Sequence, residues 1–81
     1  MDNQSIELML NEIILERGVP RNIRSLIEDS ISLLESEGEM EEKIAHITSI
    51  LDDASGDPNI SPHTRTKIWN VVSFLEEIGR K

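Results

Sequence analysis

The chain has no cysteine and no tyrosine, and only one tryptophan and one phenylalanine. Without thiols it can form neither disulfide staples nor thiolate metal sites, a composition that suits a reducing cytoplasm. Without aromatics its core must come from aliphatic side chains. No apolar run exceeds three residues, as at Ile13-Ile14-Leu15, so no segment reads as a membrane span. Met1 to Ser5 lacks the basic start and apolar stretch of a signal peptide. Basic residues are scarce as well: 8 against 16 acids, for a formal charge of −8. Such a chain keeps itself soluble and repels phosphate backbones, which disfavours nucleic acid as a broad-surface partner. At 81 residues it reads as a single domain, 1–81, with a modest core.

The four glycines, Gly18, Gly38, Gly56 and Gly79, fall where helices are expected to stop, because glycine turns left-handed past a last helical turn without steric cost. Between them every segment repeats its apolar residues at the helical period, which overrules the strand preference of so many isoleucines and valines. Helix 1 is expected from Gln4 to Arg17, capped by Asp2 or Asn3, with Ile6, Leu10, Ile13, Ile14 and Arg17 on one stripe. Helix 2 should open with Pro20 as its first residue and bury Ile23, Ile27, Ile31 and Leu34, with Ser30 between them, ending near Ser36. Helix 3 should run from Glu39 to Gly56 over Met40, Ile44, Ile47, Ile50, Leu51 and Ala54. Helix 4 has the sharpest start, Ser61 as N-cap and Pro62 as first residue. Its inward stripe is Ile68, Val71, Val72, Leu75 and Ile78, flanked by Trp69 and Phe74.

The halves resemble each other. A shift of 37 lays Leu10, Ile13 and Ile14 on Ile47, Ile50 and Leu51. A shift of 41 lays Arg24, Ile27, Ile31, Ser32, Leu34 and Glu35 on Arg65, Ile68, Val72, Ser73, Leu75 and Glu76. Two hairpins are too few for an open solenoid, so the expected fold is all-α: an antiparallel up-and-down four-helix bundle made of two similar hairpins.

That topology gathers both proline turns at one end, with Arg17, Arg21, Arg24, Arg65 and Lys67, five of the eight bases. Between Glu28 and Glu42 there are seven acids and no base, and Glu76 and Glu77 add to that far end. Cations in the first turn of a helix oppose its macrodipole by about 0.3–1 kcal/mol each, so Arg21, Arg24 and Arg65 need compensation. The bland solution is ion pairing with Glu16, Asp52, Asp53 and Asp57 on the adjacent helix ends. The functional one is an anion, small-ligand or RNA contact. The candidate ligand or partner surface is Arg21, Asn22, Arg24, Asn59, His63, Arg65 and Trp69.

No catalytic, cofactor or metal set is expected. No glutamate stands three residues before either histidine, as di-metal bundles require, and His46 reads as a solvated surface residue. The Gly-x-Ser-x-Gly and phosphate-loop patterns are absent. Leu8 and Leu15 on helix 1, and Leu26 and Leu33 on helix 2, fall outside the stripes; they either widen the core or form a partner or self-association seam. The expected role is therefore a non-enzymatic protein-interaction module with an unidentified protein partner or a second copy, and no membrane.

Two segments carry a resemblance: Val19-Pro20-Arg21-Asn22-Ile23-Arg24, and Asp57-Pro58-Asn59-Ile60-Ser61-Pro62-His63-Thr64-Arg65-Thr66 with Ile68-Trp69-Asn70. Together with Ser49-Ile50-Leu51-Asp52 they are similar to uncharacterised protein family 0147, short archaeal proteins of unknown function. The resemblance implies a small, cytoplasmic, all-helical bundle. It implies no activity, cofactor or catalytic residue.

Overall fold

The order of elements follows from the punctuation and periodicity. In the computed structural model, which describes residues 3–79, α1 spans Asn3–Ile14, α2 Arg21–Glu35, α3 Met40–Ser55 and α4 Pro62–Gly79. No strand occurs among these residues. Each helix packs on the ones before and after it, and α4 closes back onto α1, while the backbones of the diagonal pairs stay apart among the described residues.

The buried residues are Ile6, Leu10 and Ile13 of α1; Ile23, Ile27, Ser30 and Leu34 of α2; Ile44, Ile47, Leu51 and Ala54 of α3; and Thr64, Ile68, Val71 and Leu75 of α4. Val19 and Ile60 plug the two proline turns. Every one of them except Ile44 has a buried counterpart 41 positions away: Ile6 and Ile47, Leu10 and Leu51, Ile13 and Ala54, Val19 and Ile60, and so on through Leu34 and Leu75. The repeat therefore has one register, 41, throughout. A shift of 37 for the first helix also overlays apolar residues because it differs by four, about one helical turn, and keeps the same face. It does not match the depth of burial.

The flanks of the stripes differ from expectation. Ile14, Ile31, Met40, Val72, Phe74 and Ile78 are half-buried and packed against the core, as are Leu26 and Leu33, and Ile50 is half-buried as well. Arg17 is exposed, because α1 ends at Ile14 and a turn follows. Asn3 is the first residue of α1 rather than its cap, and Asp2 lies outside the described residues. Pro20 is the N-cap of α2 rather than its first residue, and it offers no side-chain hydrogen bond to the helix. Of the four glycines only Gly18 (φ +79°) and Gly38 (φ +134°) take positive φ; Gly56 stays right-handed at φ −84°. Gly56 closes α3 without any need for glycine's freedom.

Helix 4 begins as its sequence dictates. Thr64 N–H donates to Ser61 Oγ at 3.1 Å, and the two hydroxyls lie 3.1 Å apart. This satisfies one of the orphan donors of the first turn and explains how Thr64 is buried without cost: its hydroxyl is paired with the cap.

Candidate functional site

The two proline turns meet around Asp57. Its Oδ1 accepts the Asn59 backbone N–H at 2.7 Å, an Asx turn that folds Asp57-Pro58-Asn59 back on itself. Its Oδ2 accepts the Asn22 side-chain amide at 3.2 Å, which ties the first turn of α2 to the end of α3. Its backbone carbonyl accepts Arg65 Nη2 at 3.2 Å, while Arg65 Nε donates to the Ser55 carbonyl at 2.9 Å.

Arg65 thereby completes the C-terminus of α3. The last four carbonyls of a helix lack intrahelical partners, and here each has one. Ser55 Oγ donates to Asp52, Gly56 N–H to Asp53, Asp57 N–H to Ala54 and Arg65 to Ser55. The expected arginine–aspartate ion pair is thus replaced by an arginine–carbonyl cap. The planar fork of the guanidinium spans two carbonyls at once, and at a helix C-terminus the charge lies where the macrodipole favours it. This offsets its unfavourable position in the first turn of α4.

His63 and Lys67, on the α1 side of α4, share Glu16. His63 Nε2 lies 3.4 Å from Glu16 Oε1, and Lys67 Nζ lies 3.6 Å from Glu16 Oε2 and 3.7 Å from Glu12. The 41-residue register reaches these polar contacts too. Glu16 and Asp57 are counterparts, as are Asn22 and His63, so the second helical residue of α2 and of α4 each reaches the turn after the other hairpin's first helix.

The counterpart of Arg65 behaves differently. Arg24 is exposed, and neither its side chain nor those of Arg17 and Arg21 makes a hydrogen bond or ion pair among the described residues. The Ile14 carbonyl, which corresponds to that of Ser55, likewise has no protein donor there. At the positions of Arg17 and Arg21 the second turn carries Pro58 and Pro62. The arginine of the second proline turn is engaged by backbone carbonyls; the first carries three guanidinium groups with no hydrogen bond or ion pair among the described residues.

Of the candidate surface, then, Asn22, Asn59 and Arg65 gather around Asp57 as fastening. His63 lies beside them on Glu16, and Arg21 and Arg24 stand in solvent. Trp69, expected beside the core, is 53% exposed on α4. It falls between the inward Ile68 and the flanking Val72, too far around the helix for its ring to reach the interior. Leu8 (66% exposed) and Leu15 (81%) are the other large apolar side chains in solvent among the described residues; of the surplus leucines, only Leu26 and Leu33 widen the core. His46 is exposed.

Hollows open on the surface, two of them between neighbouring helices. The larger, about 450 Å³, lies between α1 and α4, with Met9 and Phe74 beside Asn70, Ser73, Glu76 and Glu77. The smaller, about 140 Å³, lies at the α2–α3 turn, lined by Leu33, Lys43, His46 and acids including Glu37 and Glu42. Lys43 Nζ donates there to the Leu34 carbonyl at 3.2 Å and so caps α2. Among the described residues no three histidine or carboxylate side chains are grouped to hold a metal ion, and no helix is long and apolar enough to cross a membrane.

These features define a small all-α protein built on a duplicated core. A family model described as an uncharacterised protein family, UPF0147, matches residues 3–78, and the chain belongs to that archaeal family, whose function is unknown. It is 46% identical over 77 residues to the UPF0147 protein MJ1419 of Methanocaldococcus jannaschii, covering 93% of this chain and 82% of the relative. It is 40% identical to a UPF0147 protein of Pyrococcus abyssi, covering 94% and 90%. Two crystal structures share the fold. One, of the unknown function protein MMP1188, has a TM-score of 0.86 at 42% identity, covering 93% of this chain and 86% of that one. The other, a UPF0147 protein from Thermoplasma acidophilum, has a TM-score of 0.85 at 32% identity, covering 93% and 89%.

Proposed function

We propose that the protein is a non-enzymatic, cytoplasmic protein-interaction module: an antiparallel up-and-down four-helix bundle that presents apolar side chains to a partner. The observation that carries the reading is the exposure of Leu8, Leu15 and Trp69 in a chain poor in aromatics and rich in charge. Single apolar side chains in solvent are ordinary, and what sets Leu8 and Leu15 apart is that they share one face of α1, as residues of a contact surface do. The short connections 15–20, 36–39 and 56–61 support the up-and-down course of the helices, since brief links favour antiparallel neighbours.

The test is affinity capture from native extract with the wild type and with Leu8→Gln/Leu15→Gln/Trp69→Gln. Proteins retained by the first and lost by the second are expected. Identical captures from both, at equal folding, sink the reading. A second reading has its own observation: Arg17, Arg21 and Arg24 lack acidic partners among the described residues, which suits an anionic ligand or RNA. Binding of that kind weakens steeply with salt, so an RNA titration flat at low salt excludes it.

A further inference from the structure

We propose that the partner of the α1 surface is a second copy of this chain, in a two-fold arrangement with the α1 helices antiparallel and Leu8 of one copy against Leu15 of the other. This rests on the interaction-module reading and names its partner.

The face is laid out for a helix. Leu8 and Leu15 are seven residues apart, two turns to within about 20°, and the Leu15 N–H still donates to the Asn11 carbonyl at 3.1 Å, so its backbone continues the pitch of α1. With Gln4 and Asn11 the row is Gln4, Leu8, Asn11, Leu15, the four-three-four spacing of a helix-pairing seam. All four are exposed, and none is charged in a chain whose charged fraction is 30%. The row lies opposite Ile6, Leu10 and Ile13, which are buried, so neither α2 nor α4 covers it. The nearest acid on the α4 flank, Glu12, is held by Lys67 at 3.7 Å.

Charge selects both the occupant and its direction. Beside Leu15 stand Arg17, Arg21 and Arg24, which no carboxylate among the described residues engages. Toward the start of α1 lie Glu7 and, at the ends of the flanking α2 and α4, Glu35, Glu76 and Glu77, all without an ion-pair partner among the described residues. Antiparallel pairing sets the arginine end of each copy over the acidic end of the other, twice per dimer. Parallel pairing would stack like charges. A two-fold contact also closes on itself, giving a dimer rather than a filament.

The chain has no cysteine, so engineered thiols report the geometry without interference. Leu8→Cys and Leu15→Cys chains, mixed and oxidised, should link position 8 of one to position 15 of the other, in preference to linking either variant to itself. Sedimentation equilibrium from about 10 μM to 1 mM should show a monomer–dimer equilibrium. Leu8→Glu and Leu15→Glu should each weaken it by at least about tenfold, with unchanged circular dichroism because both sites are exposed. Arg17→Glu should weaken it most at low salt. A monomer at every concentration overturns the proposal, as does a dimer indifferent to both glutamates or a 15-to-15 disulfide as the main product. If the chain stays monomeric yet captures a foreign protein through Leu8 and Leu15, the second copy is overturned and the module reading stands. If RNA binds the arginines while no dimer forms, the second copy is equally overturned.

Discussion

Arg65→Ala separates the two proline turns by stability. The substitution removes two charge-assisted hydrogen bonds, at 2.9 Å to the Ser55 carbonyl and 3.2 Å to the Asp57 carbonyl. Bonds to charged groups contribute about 1.5–3 kcal/mol each, and the lower figure suits a half-exposed side chain. Removing the cation relieves the first turn of α4 but forfeits the favourable α3 C-terminus, and the two macrodipole contributions largely cancel. The expected net loss is about 3 kcal/mol, which for a domain of this size lowers the melting temperature by roughly 12–24 °C. Arg65→Lys keeps the charge but not the fork and should lose about half as much. Arg24→Ala removes the counterpart in the 41-residue register, which makes no such bond, and should stay within about 0.5 kcal/mol of wild type. Urea denaturation followed by circular dichroism at constant m-value measures all three. Equal losses at positions 24 and 65, or an Arg65→Ala protein as stable as wild type, would refute the assignment of Arg65 as the cap of α3.

Other substitutions probe the frame. Ser61→Ala should cost about 1 kcal/mol, read by the same denaturation, because the Thr64 N–H and hydroxyl both lose their partner. Gly18→Ala should cost about 1 kcal/mol since its φ is +79°, whereas Gly56→Ala should be neutral or stabilising by up to about 1 kcal/mol. Gly56 has right-handed φ, and the nearest atom to an added Cβ lies at 3.6 Å. Leu10→Ala and Leu51→Ala remove duplicated core residues, both fully buried. Each should cost about 2–5 kcal/mol, enough to leave so small a domain largely unfolded by thermal melt; a mild loss at one and a severe loss at the other would show the two half-cores to be unequal.

The helices were legible because aliphatic spacing carries them: Ile6, Leu10 and Ile13, or Ile68, Val71 and Leu75, lie on one face whatever surrounds them. Polar interior positions were harder to see. Thr64 reads as a first-turn residue, and only its bond to Ser61 makes its burial affordable. Ser30 interrupts an apolar stripe, yet it is buried with its hydroxyl donating to the Leu26 carbonyl at 3.1 Å, as a helical serine can. Trp69 looked internal because it adjoins Ile68, but one residue is about 100° of helix. At the site, the meeting of the proline turns follows from short connections, whereas the sequence leaves Arg65 between fastening helix ends through aspartates and contacting a ligand. Its true acceptors are backbone carbonyls, which every residue possesses and which composition therefore cannot single out. The register of the repeat needed depth of burial, because shifts of 37 and 41 place the same helical face inward.

The proposed protein contact uses the exposed apolar side chains Leu8, Leu15 and Trp69. Native mass spectrometry of the protein taken gently from its own cells tests that most directly. The expected spectrum shows the chain in an assembly, paired with itself or bound to another protein, and a Leu8→Glu/Leu15→Glu chain expressed in its place shows that assembly lost. A spectrum holding only the lone chain for both forms would contradict it.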